Sequence, residues 1–242
     1  TKSIVTGLRC YDPIAKNICK IVFTSDGTIS DGYGIGYGSI LIVNQHLFKR
    51  NNGSIKLHSC RGTYTIPNST VLKISPVKDR DIALVRLPQD FVPFPQKLQF
   101  SKPDTSMRIC LVGAQFQTNH VTTEVSDASQ TFPQPNSGFW KHWISTQEGH
   151  CGLPLVDVNS RVIVGIHSLG HDVVAVNYMT SIPENFKEDY LEKLDELEWT
   201  KKWRYNTEAI SWGGLKLSSE QPSGFFKPTK AVEPLPQFVS MQ

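Results

Sequence analysis

The chain of 242 residues carries 25 basic and 22 acidic side chains, a formal net charge of +3, and 39% hydrophobic residues. A chain of this length and hydrophobic content can bury a sizeable core, either as one large domain or as two small lobes. The charge is too weak to require a nucleic acid or a membrane as partner, and no run approaches the roughly 18 apolar residues of a membrane span. The first residues lack the apolar core of a secretory signal, so we expect a protein that is neither secreted nor bound to a membrane.

The cysteines form an odd set and show no Cys-x-x-Cys spacing. This pattern argues against a disulfide framework and against a structural zinc site, so we expect reduced thiols, no metal and no cofactor. Most of them fit the description of buried structural cysteines, and two lie inside apolar runs. The five are Cys10, Cys19, Cys60, Cys110 and Cys151.

In the first half of the chain, short runs rich in β-branched and aromatic residues alternate with Asp, Gly and Asn. Their spacing is near the roughly 8–12 residues typical of β-sandwiches and barrels. The glycines of residues 34–38, Gly-Ile-Gly-Tyr-Gly, precede a strand instead of opening a helix, so bending of a strand explains them better than phosphate binding does. The runs predict strands at residues 19–24, 40–43, 54–59, 62–66, 70–74, 82–87 and 108–112.

One of these predicted strands is followed by a histidine, and another is preceded by a carboxylate. His46 comes shortly after the strand at residues 40–43. A single histidine in such a place is usually structural, and only a matching carboxylate and nucleophile make it a candidate general base. Asp81 directly precedes the apolar run at residues 82–87, and Asp79 is the alternative. We favour Asp81 because it adjoins the strand.

Prolines interrupt residues 91–103, and residues 113–120 are polar without a strand or helix period. We therefore place the linker between two lobes at residues 113–120. The predicted division is an N-terminal β-barrel with its linker at residues 1–118 and a C-terminal β-barrel at residues 119–220. Beyond it, residues 221–242 are rich in Ser, Pro and Lys and are expected to form a flexible tail.

The second half of the chain returns to strands and then changes period. Strands are expected at residues 140–144 and 162–166. A helix is expected over residues 183–203, because the preceding segment has the spacing of a capping box and apolar residues recur on one helical face. These apolar residues are Phe186, Tyr190, Leu194 and Leu197.

Residues 149–156, Gly-His-Cys-Gly-Leu-Pro-Leu-Val, place Cys151 in a turn between glycines and before an apolar run. Gly149 and Gly152 can adopt backbone angles that residues with a Cβ resist, so neighbouring N–H groups can converge beside the sulfur as in an oxyanion hole. We expect the N–H groups of Gly149, His150 and Cys151 to form it.

A thiol nucleophile needs a base, and the base needs an orienting carboxylate. His46, Asp81 and Cys151 supply these roles in an order along the chain that resembles the chymotrypsin-like proteases. Residues 81–84, Asp-Ile-Ala-Leu, and residues 149–156 also resemble sequences of that fold, with cysteine in place of serine.

A closer resemblance, over nearly the whole chain, is to the nuclear inclusion a proteases of potyviruses. It implies a mostly β protein with two antiparallel β-barrels of chymotrypsin-like fold, one helix on the C-terminal side and a flexible tail. It also implies a cysteine endopeptidase that processes a plant-virus polyprotein after glutamine in the host cytoplasm and nucleus. The motifs that carry it lie at residues 11–14, 44–53, 93–98, 139–144 and 149–152.

The same resemblance implies a pocket that holds the substrate glutamine, formed by Thr146, Glu148 and His167. Glu148 departs from the usual Asp of the family, so it either reaches the same bond from a shifted backbone or leaves the role to Thr146 and His167. Further substrate-binding residues, the last four of them expected to form apolar walls that close the cleft, are Ser168, Leu169, Tyr178, Ile210, Trp212, Leu215 and Leu217.

Gln242 ends the chain with the residue type that this pocket is expected to hold. We expect it to be the product end of self-release from a polyprotein, with the tail able to occupy the cleft. An RNA-binding module, as an accessory or main function, is the alternative indicated by the basic pairs Lys49-Arg50 and Lys201-Lys202. A catalytically inactive scaffold is disfavoured by the complete set of His, Asp and Cys.

Overall fold

The computed structural model describes residues 4–6, 8–50, 53–117, 120–146, 149–170, 176–201, 210–212 and 215–217. Nearly all regular structure in these residues is β, as predicted. Two antiparallel sheets of eight strands each make up the body of the protein, and a two-stranded hairpin follows them.

The strands in chain order are β1 (Ile4–Thr6), β2 (Ile18–Ser25), β3 (Thr28–Tyr37), β4 (Ile40–Val43), β5 (Ser54–Ser59), β6 (Gly62–Ile66), β7 (Lys73–Pro76), β8 (Ala83–Arg86), β9 (Arg108–Gln117), β10 (His120–Ser126), β11 (Ser129–Pro133), β12 (Phe139–His142), β13 (Pro154–Asp157), β14 (Ile163–Leu169), β15 (Asn177–Ser181), β16 (Thr200–Lys201), β17 (Ile210–Trp212) and β18 (Leu215–Leu217). The helices are short: a 3₁₀ turn at Arg9–Tyr11, α1 (Asp12–Ala15), α2 (Gln45–Arg50) and a π turn at Lys187–Leu191. None of the described helices is long and apolar enough to span a bilayer.

The first sheet has the strand order β16-β7-β8-β4-β3-β2-β5-β6. The second has the order β1-β10-β9-β11-β12-β15-β14-β13, and β9 also pairs with β13. That extra pairing closes β9, β11, β12, β15, β14 and β13 into a barrel, from which β10 and β1 extend. The hairpin of β17 and β18 pairs Ile210 with Leu217 and Trp212 with Leu215.

Strand β4 lies between two hydrophobic cores, and all four of its residues are buried. Ile40 and Ile42 belong to the core shared with the second sheet, whereas Leu41 and Val43 belong to the core of the first sheet. Successive side chains of a strand point to opposite faces, so a continuous apolar run is what such a position requires. This double burial makes β4 a rigid support for the residues that follow it.

The glycines of residues 34–38 serve close packing as well as bending. A Cβ at Gly36 would overlap the Phe94 ring, and a Cβ at Gly34 would come within 2.8 Å of the Leu41 side chain. Gly38 is different, because its φ of +57° lies in the left-handed region, in the turn between β3 and β4.

The predicted boundary between the lobes is wrong. The polar segment at residues 113–120 is not a linker: it includes the end of β9 and the start of β10, where Gln117 pairs with His120. The segment is polar because this end of the hairpin lies outside the barrel core. The connection between the sheets is instead the proline-rich segment at residues 87–107, which touches the second sheet through a bridge between Phe100 and Ile163.

The predicted division at residue 118 therefore assigns three strands to the wrong sheet. β1 and β9 lie in the second sheet although they precede residue 118, and β16 pairs with β7 of the first sheet although it follows that residue. Residues 221–242, the predicted tail, lie outside the described residues.

The helix predicted over residues 183–203 is also wrong in its described part, residues 183–201, apart from the π turn at Lys187–Leu191. Asn185 has a φ of +56°, which an α-helix does not allow. Further on, the Trp199 indole donates to the carbonyl of Leu194 over 2.9 Å, and Arg86 lies 5.0 Å from the centroid of the Trp199 ring. The apolar residues of the expected helical face still pack on the shared core, so their burial was predicted correctly and their backbone was not.

Candidate functional site

The register of two neighbouring strands brings His46 and Asp81 together. β4 and β8 are antiparallel and pair Val43 with Ala83. The chain leaving β4 therefore passes the chain entering β8, and helix α2 begins beside Asp81. His46 lies shortly after β4, and Asp81 lies shortly before β8. The pairing of these two strands therefore brings the two side chains together.

The Asp81 side chain is fully buried and accepts hydrogen bonds from three directions. One oxygen accepts from the backbone N–H of His46 over 3.0 Å. The other lies 2.7 Å from His46 Nδ1 and also accepts from Asn44 Nδ2 over 3.2 Å. A carboxylate accepts hydrogen bonds and cannot donate them, so His46 Nδ1 carries the proton of the 2.7 Å bond. Nε2 of the ring is then the atom able to accept a proton.

Asp79, the alternative carboxylate, does not share this environment. Its side chain is exposed, and its φ of +56° places it in the turn before β8. Among the two candidates, the structure brings only Asp81 to His46.

Cys151 occupies a turn with the glycine geometry expected from the sequence. Gly149 has a φ of +84° and Gly152 a φ of +91°. A Cβ at Gly152 would overlap the backbone carbonyl of Tyr33, and the Tyr33 N–H donates to the Cys151 carbonyl over 2.8 Å. The turn is thus pressed against β3 of the first sheet. The assignment of the oxyanion hole to Gly149, His150 and Cys151 stays a prediction.

Asn44 and Ser168 join the histidine and aspartate to the cysteine turn. Asn44 Nδ2 lies 2.9 Å from Ser168 Oγ and 3.3 Å from the His167 carbonyl, in addition to its contact with Asp81. The Ser168 carbonyl lies 3.6 Å from Cys151 Sγ, within range of a thiol donor. A single buried amide therefore links β4 of the first sheet to β14 of the second, where the candidate nucleophile is held.

A second tie crosses the sheets at the same place. The backbone N–H of Asp81 donates to Thr180 Oγ1 on β15 over 3.2 Å, and Arg80 Nε donates to the Ser181 carbonyl over 3.1 Å. The segment that carries the carboxylate is therefore held by β15 of the second sheet.

Two of the predicted pocket residues converge at Gly170. A Cβ built at Gly170 would lie 3.7 Å from Thr146 Oγ1 and 4.0 Å from His167 Nε2. It would also lie 3.2 Å from Asn177 Oδ1, and Asn177 Nδ2 donates to the Ile144 carbonyl over 2.7 Å. These polar atoms can face the side-chain amide of a bound residue.

The remaining predicted substrate-binding residues have different outcomes. Ser168 and Leu169 are buried, and Ser168 contributes to the Asn44 network. Tyr178 is half-buried and pairs with Leu169 across β14 and β15. Glu148 lies outside the described residues. For Ile210, Trp212, Leu215 and Leu217 the backbone is described and the side chains are not, so the apolar walls stay a prediction.

The pocket histidine has a second histidine behind it. His142 and His167 are both buried, with ring centroids 5.7 Å apart. Burial lowers the pKa of His142 to about 3. Burial also lowers the pKa of His167 well below its ordinary value, and the nearby histidines His142, His150 and His46 act in the same direction. Both rings are therefore neutral near pH 7.

Sequence reasoning assigned no role to Asn44, Thr180, Asn177 or His142. Asn44 and His142 fell within motifs that carried the family resemblance, but a motif does not say what its members contact. Only the packing of the two sheets shows that these side chains meet the predicted residues. Among the described residues there is also no group of three or more His, Cys, Asp or Glu side chains suited to a metal ion.

The neutral histidines predict a stability that depends on pH. Because their pKa values are lower in the folded protein than in the unfolded chain, the unfolded chain binds more protons below about pH 6.5, and the free energy of unfolding falls as the pH falls. His142→Gln should reduce this slope by about 1.4 kcal/mol per pH unit below about pH 6.5. Urea unfolding at several pH values measures it. His120→Gln, which replaces an exposed histidine, should leave the slope unchanged, and an unchanged slope in His142→Gln would contradict the prediction.

Comparison with known proteins places this geometry in a family. The model of peptidase family C4 matches residues 1–233. The chain is 46% identical over 235 residues to the genome polyprotein of turnip mosaic virus (strain Japanese) and 43% identical to that of plum pox potyvirus (isolate NAT), with 97% of the chain covered in both. It spans only 7% and 8% of the length of these polyproteins.

Solved structures agree with the family match. Tobacco etch virus protease complexed with product is 44% identical, with a TM-score of 0.81, covering 89% of this chain and 94% of the other. Tobacco vein mottling virus protease is 40% identical, with a TM-score of 0.79, covering 89% and 98%. The fold is thus the chymotrypsin-like fold that the sequence predicted. The chain belongs to peptidase family C4.

Proposed function

We propose that this protein is a cysteine endopeptidase that cuts a viral polyprotein after glutamine through an acyl-enzyme. His46 is the base, Asp81 orients it and Cys151 is the nucleophile. The observation that carries the proposal is the buried His46–Asp81 pair, connected through Asn44 and Ser168 to the Cys151 turn. The related protease from tobacco etch virus is described in complexes with a substrate and with a product.

The chemistry follows from which atoms are protonated. Asp81 holds the proton of His46 on Nδ1, so Nε2 takes the proton of the Cys151 thiol and becomes part of an imidazolium that the carboxylate stabilises. The thiolate attacks the carbonyl carbon of the substrate glutamine, and the imidazolium returns its proton to the leaving amine. Water then attacks the thioester and releases the acid. Gly149, His150 and Cys151 are the proposed N–H donors to the oxyanion.

Thr146 and His167 are proposed to hold the glutamine side chain, because Thr146 Oγ1 and His167 Nε2 approach the same point at Gly170. Glu148 and the hairpin residues Ile210, Trp212, Leu215 and Leu217 complete this proposal from the family resemblance. The place of action that follows is the cytoplasm and nucleus of the infected cell, where a viral polyprotein is accessible.

RNA binding is the other function predicted from the sequence. It rests on two basic pairs whose side chains lie outside the described part of the structure. The side chains of Lys49, Arg50 and Lys201 are not described, and Lys202 lies outside the described residues. No observation favours this function, so the endopeptidase is the one proposed.

The first test is cleavage of a library of glutamine-containing peptides, with mass mapping of the cuts. Cuts should follow glutamine, and Cys151→Ala should abolish turnover because no thiol remains to attack. Cys110→Ala is the matched control, since Cys110 is buried in the shared core and touches none of the proposed catalytic residues. Turnover retained by Cys151→Ala, or lost equally in both variants while both stay folded, would refute the assignment.

Asn44→Ala should lower kcat/KM at least about tenfold, because it removes one of the three donors to Asp81 and the amide that contacts Ser168. The pH profile of kcat/KM should also move, since the environment of the orienting carboxylate changes. The measurement is kcat/KM against pH with one peptide identified by the mass mapping.

Asn17→Ala is the control for this experiment. Asn17 is also fully buried, and its amide makes three hydrogen bonds to the backbone of Gly36 and Gln96, away from the site. Its loss should lower the melting temperature and leave the pH profile of the folded enzyme unchanged. The same profile in Asn44→Ala as in the wild type would show that Asn44 is only structural.

The chain terminus provides a substrate to test. A peptide of residues 233–242, extended by one small residue, should be cut after Gln242, whereas the Gln242→Ala peptide should not be. Removal of residues 222–242 should leave turnover at or above the full-chain value, because a tail that occupies the cleft inhibits by its high effective concentration. An uncut terminal peptide, under conditions where other glutamine peptides are cut, would refute Gln242 as a cleavage site.

A further inference from the structure

Behind the proposed glutamine pocket, two histidine rings from strands on either side of β15 pack edge to face. His142 ends β12 and His167 lies on β14, and both strands pair with β15 between them. The side chains are 0% and 3% exposed, and the ring planes make an angle of 66°. His167 Nε2 lies 4.0 Å, and Thr146 Oγ1 3.7 Å, from a Cβ built at Gly170.

The proton of His142 can be located from its surroundings. The backbone N–H of Ile144 donates to His142 Nδ1 over 3.3 Å, so Nδ1 is an acceptor. Burial keeps the ring neutral by lowering its pKa, and a neutral imidazole carries one proton. That proton is therefore on Nε2. Asn177, whose side chain donates to the Ile144 carbonyl over 2.7 Å, helps to hold residue 144 in this position.

In each of the two histidine rings, one nitrogen atom has no hydrogen bond to a described residue. His142 Nε2 and His167 Nδ1 are buried and have no hydrogen-bond partner among the residues that the structure describes. Burying an unpaired polar atom is costly, and these two belong to adjacent rings. His142 Nε2 is a donor, so the combination that satisfies both is an acceptor at His167 Nδ1.

We propose that His142 is a positioning residue whose Nε2–H group acts on His167 Nδ1 and so holds His167 in the Nε2–H form. Its substrate consequence rests on the proposed function: His167 Nε2 then donates to the side-chain oxygen of the substrate glutamine. The relay runs from the backbone N–H of Ile144 through both rings to the substrate.

The relay also explains a preference for glutamine over glutamate. A proton on His167 Nδ1, in the other neutral form or in the imidazolium, would direct two N–H groups at each other. His142 therefore opposes the imidazolium, which is the form that would stabilise a bound carboxylate. A neutral donor suits an amide oxygen, whereas a glutamate would bring a buried charge without a compensating cation.

The test compares two replacements of similar length at His142. His142→Gln keeps an N–H donor near the position of Nε2, and His142→Met removes it. The probe is a glutamine peptide identified by mass mapping together with its glutamate counterpart. The ratio of kcat/KM for glutamine over glutamate should fall about tenfold or more in His142→Met and should be largely restored in His142→Gln. His58→Met, on the surface of the first sheet, should leave the ratio unchanged.

A second measurement needs no substrate, so it separates this proposal from the proposed function. In ¹⁵N-histidine-labelled protein, with His167 signals assigned by their loss in His167→Gln, the chemical shifts should show the Nε2–H form in the wild type. In His142→Met they should shift toward the Nδ1–H or charged form. A wild-type His167 protonated at Nδ1, or an unchanged selectivity ratio in folded His142→Met, overturns the proposal. Correct tautomers in a protein that does not cut glutamine peptides would refute the function and leave the relay standing.

Discussion

The buried carboxylate of Asp81 is the constraint on which the site depends. A charge removed from water is tolerated only when hydrogen-bond donors replace the water. Here the donors come from the backbone of His46, the ring of His46 and the amide of Asn44, and all of them are at or just after the end of β4. Satisfying this one group therefore sets the start of α2, the orientation of the histidine ring and the position of Asn44.

The same requirement connects the two sheets. Asn44 reaches Ser168 on β14, and the N–H of Asp81 reaches Thr180 on β15. The apolar surface shared by the sheets supplies the larger part of their association, because burial of apolar area is the dominant favourable term in folding. The polar contacts set the relative position of the sheets at the site. The proposed proton transfer between Cys151 and His46 requires that this position is maintained.

The protein places its histidines in two opposite environments. His46 has a carboxylate against Nδ1, which would stabilise the charged ring of the proposed proton transfer. His167 has a neutral ring behind it, and burial lowers its pKa further. In the proposed mechanism the first ring gains a proton, whereas the second remains neutral. The difference arises from what lies beside each ring, a buried carboxylate or a second buried histidine, not from the histidine itself.

Some features could be predicted from the sequence because they depend on neighbours along the chain. The apolar runs placed β4, β5 and β6 at their observed bounds, and the two glycines around Cys151 indicated the backbone angles of its turn. The position of Asp81 against an apolar run distinguished it from Asp79, since a residue that adjoins a buried strand is itself close to the core.

Other features were decided only by the tertiary structure. The period of residues 183–203 predicted a helix, but Asn185 has a left-handed φ that interrupts it. Beyond the π turn, Trp199 contacts Leu194 and Arg86. The assignment of β9 to the second sheet depends on its pairing with β10, β11 and β13, which no local pattern contains.

The roles of Asn44 and His142 depend in the same way on which strands become neighbours. The sequence by itself determined the residue types, the strand-forming runs and the turns, because propensity and periodicity act over a few residues. Only the tertiary structure decided the partners of each buried polar atom. Hydrogen bonds between distant segments form when the sheets pack, and the packing is a property of the whole chain.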